Sequence, residues 1–335
     1  MFGVLLLVGR WLTFWFDEWS FIMYRRDPSV DSLLSRHVDH FSLVPALIYQ
    51  ALFRLVGLGA YLPYLLVAWL LHIACAWLLF WITARRAGWG LGLVAGLSLL
   101  FLGSGFEALL HAFQLSFAVS EATGLAAIAL LLRPAPDRLW ADSIIAAGAL
   151  CVAVASSGAG FLFVVLVIIW TILRRDRAAL LATLLAFGLW AAWFGVWGPA
   201  GRIGRMTTSS LLWAPITIIN GLGAAVAGLV GAPPHRFAVA GVALGVAALT
   251  AAKLAGARLS PLSTAAACLL VIQYTLVAAF RPEFGVSWGA RSQYVYLGVL
   301  LLWLVIPDLA APLASRSYGW RARSEERRVG KECRL

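Results

Sequence analysis

The sequence predicts an all-α, polytopic transmembrane helical bundle with about ten spans. Only 12% of the 335 residues are charged, whereas soluble domains carry about a quarter. Hydrophobic residues make up 62% of the chain, and the mean hydropathy is +0.89. Several apolar runs approach or reach the roughly 18 residues that a helix needs to cross a bilayer. We therefore expect one transmembrane domain over residues 1–322, embedded in a lipid bilayer.

The expected spans follow the apolar runs in chain order. Residues 1–16 are too short for a full crossing, so we expect a truncated first helix that ends near Phe16. Residues 323–335 differ sharply in composition from the run before them, and we expect a non-native tail there. The remaining expected spans are residues 61–84, 91–105, 115–132, 140–156, 161–173, 180–197, 237–254, 261–280 and 294–309.

A Gly-rich run at residues 216–230 has marginal length and allows two topologies. If the run crosses the membrane, Lys253 and Arg258 lie outside. If it lies on the outer face or dips into it, both charges lie inside. We favour the second topology, which gives about ten spans.

Short arginine clusters follow alternate spans, so they share one side, and the positive-inside rule assigns that side to the cytoplasm. The net charge of +11 belongs to such loops, and no nucleic-acid partner is expected. Residues 17–60 then lie outside. This topology predicts a multi-pass protein of a bacterial-type plasma (inner) membrane with its active site on the outer face. The clusters are Arg85 with Arg86, Arg133 with Arg138, and Arg174 with Arg175 and Arg177.

The first outer loop is expected to contain juxtamembrane helices. Asp27 is a typical N-cap and is followed by proline, which predicts a small helix over residues 27–36. Residues 42–58 predict an interfacial helix with Gln50 and Arg54 on one face. A short transmembrane span is the alternative for this segment.

Asp17 and Glu18 are the candidate catalytic residues. A carboxylate pair at the outer end of a helix can act as a general base, orient a hydroxyl nucleophile or hold a divalent cation. Two acids can also do no more than mark the water boundary.

Two groups of polar residues are candidate substrate-binding elements. His37 and His40 could bind a metal, although a solvated loop is the simpler interpretation. Glu107, His111 and Gln114 are spaced for one helical face at an outer membrane edge. An internal Glu–His hydrogen bond is the alternative role for this face.

Three polar residues lie within expected spans. Glu121 follows the Glu107 face deeper in its span, and His72 and Gln273 are isolated. We interpret His72 and Gln273 as structural.

Arginines of the outer loops run against the positive-inside trend. Arginine binds phosphate bidentately, and a lipid phosphate headgroup would lie at this depth. An arginine that extends to water from the interface is the alternative. The candidate substrate-binding residues in these loops are Arg202, Arg205, Arg281, Arg291 and Tyr294.

This arrangement resembles the GT-C superfamily of polytopic glycosyltransferases. The protein O-mannosyltransferase and aminoarabinose-transferase branches are nearest in layout. The resemblance covers roughly the first 130 residues, and later only the hydrophobic profile and an Arg-x-x-Tyr at 291–294 match. The family's His-Pro-Pro is absent, and His40-Phe-Ser-Leu-Val-Pro45 replaces it. The matching features are the helix end Phe16-Asp17-Glu18-Trp19, the small helix at 27–36, the segment 40–58 and the arginine-closed span at 61–86.

The resemblance implies a glycosyltransferase that moves a sugar from a polyprenyl-phosphate donor to a glycan, lipid or protein acceptor. Asp17 or Glu18 would be the base or would orient the acceptor, and the outer-loop arginines would hold the donor phosphate. A divalent cation is the one cofactor we consider. The alternative function is a transporter or flippase of a lipid-linked or small polar substrate, in which inverted repeats and broken helices are expected.

Overall fold

The computed structural model of the protein describes residues 2–38, 40–133, 140–198, 208–281 and 285–332. The side chains of residues 2, 4, 208–211 and 313–332 lie outside this description. Within the described ranges the chain forms α-helices and short 3-10 turns and contains no β-strand. The predicted all-α fold class is therefore confirmed.

The helices alternate with short connections along the whole chain. Short 3-10 turns lie at Gly103–Gly105, Ala112–Gln114 and Trp288–Ala290. The helices are α1 (Phe2–Gly9), α2 (Glu18–Tyr24), α3 (Val30–Leu34), α4 (Leu43–Leu55), α5 (Leu62–Ala87), α6 (Trp89–Leu100), α7 (Glu107–Leu110), α8 (Leu115–Leu131), α9 (Trp140–Val154), α10 (Gly158–Arg174), α11 (Arg177–Trp197), α12 (Thr208–Leu229), α13 (Pro234–Leu254), α14 (Pro261–Phe280) and α15 (Ser292–Glu332).

Seven helical segments in the described ranges are long and apolar enough to cross a membrane. Four further apolar helices, α4, α6, α9 and α10, are shorter, with 10–17 residues. This pattern is that of a multi-pass membrane protein. The seven long segments are Leu62–Ala87, Ala112–Leu131, Arg177–Trp197, Leu212–Leu229, Pro234–Leu254, Pro261–Phe280 and Ser292–Pro312.

The bundle has two ends, which we name the Glu18 end and the Arg86 end. Helix α5 begins beside Tyr61, whose hydroxyl lies 2.8 Å from Glu18, and its last turn contains Arg86. Arg86 forms an ion pair with Asp308 of α15 at 3.0 Å and donates to the Ser263 hydroxyl in the first turn of α14 at 2.8 Å. Helices α5 and α15 therefore run between the same two ends.

The described arginines of the predicted clusters gather at the Arg86 end, and Arg138 lies outside the described residues. Helix α8 starts next to Phe113, which contacts Glu18, and it ends at Leu131. The Leu131 carbonyl accepts a hydrogen bond from Arg174 at 2.8 Å. Arg133 follows two residues after the end of α8.

Helix α12 contains a segment that is long and apolar enough to cross a membrane, and several of its contacts lie at the Glu18 end. The Asn220 amide donates to the Val286 carbonyl at 3.5 Å, and Gly228 packs against Ser104 and Val295. These partners belong to turns and helix starts at the Glu18 end. Helix α13 follows at once and leads to the start of α14 at the Arg86 end.

The first helix ends earlier than the sequence predicts. Helix α1 ends at Gly9 rather than near Phe16. The following residues turn sharply, and Phe16 has a positive φ of 39°. The Trp15 N–H donates to the Glu18 carboxylate at 2.6 Å, so this side chain replaces a helical carbonyl as the acceptor.

The small helix α3 is shorter than its prediction and has a different cap. It begins at Val30, and the Ser29 hydroxyl accepts from the Ser32 N–H at 3.2 Å. Ser29 is thus the N-cap, in place of the predicted Asp27. A serine hydroxyl in this position satisfies one of the free N–H groups of the first turn.

Helix α4 confirms that the predicted segment is helical, but its polar face is not uniformly exposed. Gln50 is buried, and its amide donates to the carbonyls of Arg25 at 3.1 Å and Asp27 at 2.8 Å. Arg54 and Leu55 are exposed. The amide faces inward because it satisfies backbone carbonyls of the α2–α3 connection, which would otherwise be buried without partners.

Small residues allow close helix packing in the core. A side-chain carbon at Gly124 of α8 would collide with the Phe163 ring. At Gly160 of α10 it would collide with the Ala153 carbonyl, which belongs to the backbone of α9. The tight turn between α9 and α10 therefore requires glycine at position 160.

Candidate active site at the Glu18 end

Glu18 is a fully buried carboxylate with four hydrogen-bond donors from separate parts of the chain. Its Oε1 accepts from the hydroxyls of Tyr49 at 3.1 Å and Tyr61 at 2.8 Å, and from the Phe113 N–H at 2.8 Å. Its Oε2 accepts from the Trp15 N–H at 2.6 Å. Both oxygens are engaged, so Glu18 joins α2 to α4, to the start of α5 and to the turn before α8.

The hydroxyl of Tyr61 extends this network by one step. It donates to Glu18 and accepts from the Ala112 N–H at 2.7 Å. Burial raises the pKa of Glu18, and its four donors oppose the rise. Burial, and next the charge of Glu18, raise the pKa of Tyr61. The phenol therefore keeps its proton and acts as a donor.

Asp17 differs from its neighbour because its carboxylate is only half-buried. It makes no side-chain cap hydrogen bond to α2. Burial raises the pKa of Asp17, and the positive charge of Arg281 opposes the rise. The structure thus divides the predicted acidic pair into an anchored carboxylate and an accessible one.

Glu107, His111 and Gln114 do not share one helical face, contrary to the prediction. His111 has an extended backbone, with φ −118° and ψ 119°, and separates α7 from the next 3-10 turn. The two N–H groups after it donate to the side chains of Tyr61 and Glu18. The helix breaks because these side chains take donors that would otherwise form helical hydrogen bonds.

Glu107 and Arg291 form an ion pair at the rim of the Glu18 end. The distance is 3.2 Å, and the Arg291 guanidinium also lies 4.1 Å from the Trp288 ring centroid. The Glu107 N–H donates to the Ser292 hydroxyl at 3.1 Å. Arg291 is therefore positioned by a carboxylate and an indole, and its guanidinium is already partly engaged.

His111 lies on the same rim, stacked on an exposed indole. Its ring is 6.3 Å from that of Trp15, and the two planes differ by 9°. Burial lowers the pKa of His111, and the charge of Glu107 opposes this effect. Because Trp15 precedes Asp17 by two residues, this stack connects the Glu107 segment to the accessible carboxylate.

His37 is packed as an aromatic ring rather than presented to a ligand. Its ring lies 4.8 Å from Phe21 and 5.1 Å from Phe113, and its Nε2 is buried without a partner. Burial, followed by the charges of Arg25 and His40, lowers the pKa of His37 to about 3. The imidazole is therefore neutral at physiological pH.

His40 is joined to His37 through the backbone and points elsewhere. Their N–H and carbonyl groups pair at 3.0 and 2.9 Å. The His40 ring lies edge-on to Phe117 at 6.3 Å and against Gly158 at the start of α10. Asp39, between the two histidines, lies outside the described residues.

Arg25 is a buried residue that sequence reasoning missed. Its Nη2 donates to the Ser35 carbonyl at 2.5 Å, its guanidinium lies 5.3 Å from the Phe21 ring centroid, and its Nη1 has no partner. Burial lowers the pKa of Arg25 to about 10. No local signal separates this arginine from its exposed neighbour Arg26, because the carbonyl that accepts from its guanidinium lies ten residues away.

The structure describes some of the remaining predicted residues and leaves others outside its range. Arg281 follows α14 half-buried, and its charge acts on Asp17. The Tyr294 carbonyl accepts from the Gln273 amide at 2.9 Å, which supports the structural role predicted for Gln273. Arg202 and Arg205 lie outside the described residues.

A small polar cavity between α5, α8 and α15 was not predicted as a site. Its polar lining combines an acid, a histidine, a phenol and two amides. Sequence reasoning noted only isolated polar residues, because the amphipathic pattern of each helix does not show which polar groups meet. The polar lining residues are His72, Gln114, Glu121, Gln293 and Tyr296.

A metal site is not evident in the part of the chain that the structure describes. No group of three or more His, Cys, Asp or Glu side chains there could hold a metal ion. The divalent cation considered from the sequence therefore has no ligand set among these residues.

Comparisons of the chain with protein-family models, with curated proteins and with solved structures find no match. At the Glu18 end, a half-buried carboxylate lies within the field of a guanidinium, beside a second guanidinium on the same rim. Such a site can accept a proton from a hydroxyl and attract an anion.

Proposed function

We propose that the protein is a membrane glycosyltransferase of the GT-C kind. It transfers a sugar from a polyprenyl-phosphate donor to an acceptor hydroxyl on the extracytoplasmic side of a bacterial-type inner membrane. The observation that carries this proposal is that the accessible Asp17 carboxylate lies close enough to Arg281 for the positive charge to act on it. A general base and a phosphate-binding cation are the two groups that such a transfer needs most.

The proposed reaction is a single displacement with two reacting bonds. The acceptor oxygen attacks the anomeric carbon, and the bond from that carbon to the phosphate oxygen breaks. The electron pair leaves with the polyprenyl phosphate, and the acceptor proton passes to Asp17. Inversion at the anomeric carbon is the expectation from the GT-C resemblance.

The division within the acidic pair assigns the roles. Asp17 is the base because its carboxylate is half-buried and makes no cap hydrogen bond, and because burial raises its pKa, which makes it a stronger base. Glu18 is a positioning residue, since four donors occupy its oxygens. Arg281 and Arg291 attract the donor phosphate, and Arg202 and Arg205 remain further candidates for that role.

The membrane setting supports a lipid-linked donor. Trp11, Trp15 and Phe16 precede Asp17 and are 78%, 63% and 77% exposed. Exposed aromatic side chains of this kind lie favourably at a membrane–water interface. A polyprenyl chain in the bilayer would carry its phosphate to the same depth.

The test compares Asp17→Asn with Asp27→Asn in the full chain reconstituted in membranes. Release of polyprenyl phosphate is followed from a panel of polyprenyl-phosphate hexoses and pentoses, with a membrane extract as the acceptor source. Loss of a general base is expected to slow release by about 10²- to 10⁴-fold. Asp27 is an exposed acid of the same loop, and its variant should retain the wild-type rate. Wild-type release by folded Asp17→Asn protein would refute the assignment.

A transporter or flippase is the second candidate, and the polar cavity at Glu121 favours it. Acidic side chains within membrane helices are costly and commonly mark transport pathways. In vesicles, a flippase would move the lipid-linked sugar between leaflets without releasing polyprenyl phosphate. Its rate would not depend on the Asp17 carboxylate.

A further inference from the structure

The polar cavity reaches into the bundle from the Glu18 end. Gln114 belongs to the 3-10 turn before α8, and Gln293 belongs to the first turn of α15, so both lie near that end. Glu121 lies about two turns further along α8. The cavity has room for about one water molecule.

Glu121 has no bonding partner in this cavity. The side chain is 3% exposed, and neither of its carboxylate oxygens has a hydrogen-bond or ion-pair partner among the described residues. An ionised carboxylate inside a membrane bundle is very costly without a compensating positive charge. The structure therefore requires a positive charge on or beside this side chain.

The lining residues on the other helices do not supply that charge. His72 Nε2 contacts the Leu100 carbonyl at 3.3 Å, and a carbonyl can only accept, so Nε2 carries a proton. The ring is buried inside the bundle, where a second proton would add an uncompensated charge, so the imidazole is neutral. His72 Nδ1 is then an acceptor, and it receives the Tyr296 hydroxyl proton at 2.9 Å. The Tyr296 oxygen can offer only lone pairs to the cavity. Gln114 and Gln293 add two amide carbonyls that can also accept.

The other charged and titratable groups near the cavity do not supply a positive charge for Glu121 either. Cys75 of α5 is buried, and its thiol points to the Ala118 carbonyl at 3.7 Å. Toward the Glu18 end, Arg291 is already paired with Glu107. No lysine or arginine lines the cavity within the described residues. Its polar lining is one carboxylate surrounded by neutral groups that can act as acceptors.

We propose that this cavity binds one monovalent cation, with the Glu121 carboxylate as its counter-charge. Oxygen atoms of Tyr296, Gln114 and Gln293 complete the coordination. A space for one water molecule fits a sodium ion or a proton and excludes organic ammonium ions. A divalent cation would leave one positive charge uncompensated in the membrane interior. The site is separate from the proposed role of Asp17 and does not depend on it.

The test uses infrared difference spectroscopy on the reconstituted full chain. The signal is the carbonyl band of a protonated carboxyl, recorded as pH rises from about 5 to 9 at several sodium concentrations with choline as the balancing cation. In the wild type, one such band should disappear with rising pH. If sodium competes with the proton, the midpoint should fall by about one pH unit for each tenfold rise in sodium. If the proton is the physiological ligand, the midpoint should not depend on sodium.

Three variants identify the group. Glu121→Gln should abolish the band, whereas Asp142→Asn should retain it. Asp142 is the matched control because it is a buried acid of α9, paired with Arg133 at 3.2 Å and not part of the cavity. Gln293→Leu keeps the carboxylate and removes one oxygen ligand. It should weaken sodium binding by about tenfold or, for a proton site, shift the midpoint.

Two results would overturn the proposal. One is a wild-type spectrum with no titrating carboxyl and no response to sodium across this pH range. The other is a band that persists in Glu121→Gln. If Glu121→Gln does not fold, an unchanged midpoint and sodium dependence in Gln293→Leu would overturn it as well.

Discussion

Replacing Glu18 with alanine tests whether this carboxylate holds the Glu18 end together. The substitution removes the acceptor of four donors, which are the N–H groups of Trp15 and Phe113 and the hydroxyls of Tyr49 and Tyr61. A buried donor without a partner costs about 1–3 kcal/mol. Water that enters the vacated space would partly satisfy these groups, so the lower value applies. The expected loss of stability is about 4 kcal/mol for the four donors.

This loss should appear as a fall in melting temperature. An unfolding entropy of about 2.1 cal/mol/K per residue gives this 335-residue chain a shift of about 1.4 °C per kcal/mol, so the expected fall is roughly 6 °C. Tryptophan fluorescence of the purified chain, heated in a single detergent, measures it. Tyr49→Phe removes one donor and leaves the carboxylate with three, so it should cost only about 1 kcal/mol.

Asp17→Ala is the matched control because it removes the neighbouring carboxylate of the same pair. Asp17 is half-buried and makes no cap hydrogen bond, so its loss should change stability by less than about 0.5 kcal/mol. Equal melting temperatures for the alanine variants of Asp17 and Glu18 would refute the proposed division. A Glu18→Ala chain that melts with the wild type would refute the anchoring role itself.

Three further perturbations test other parts of the structure. Arg281→Gln removes the charge that lowers the pKa of Asp17. The acid limb of the pH–rate profile should therefore move to higher pH. A limb that does not move would show that the two charges do not interact. Arg86→Met breaks a partly buried ion pair and should cost about 3 kcal/mol by thermal unfolding. Adding Asp308→Asn to Arg86→Met should then cause little further loss of stability. Fully additive losses would contradict the ion pair. Gly160→Ala should destabilise by about 1–3 kcal/mol because the new carbon meets the backbone of α9, whereas Gly148→Ala enters open space and should be neutral or slightly stabilising.

The order and kind of the helices could be predicted because their signals are local. The apolar run of α5 and the arginines that follow it lie next to each other in the sequence, so the segment alone predicts the helix and its end. The all-α class follows from composition. The boundaries were less predictable where a distant side chain competes for backbone donors. The segment at His111 is extended because Tyr61 and Glu18 accept the two N–H groups after it, and Glu18 also accepts the Trp15 N–H in the stretch that follows α1.

The sequence also could not predict how the residues of the candidate site differ in their surroundings. The sequence identified Asp17 and Glu18 as a pair but contained nothing to separate them, since both are acids at adjacent positions. Their difference arises from tyrosines more than thirty residues away, which enclose one carboxylate and leave the other accessible. His37 also looked like a ligand until two aromatic rings were found to enclose it.

By itself, the sequence determined that this protein is an all-helical, multi-pass membrane protein with a polar loop near its start, because hydrophobicity and charge act segment by segment. Only the tertiary structure decided which polar groups meet. It joined Glu18 to four donors, and it brought His72, Glu121 and Tyr296 from three helices into one cavity. The physical reason is that a buried polar group must find its partners in three dimensions, and helix periodicity does not specify where those partners lie.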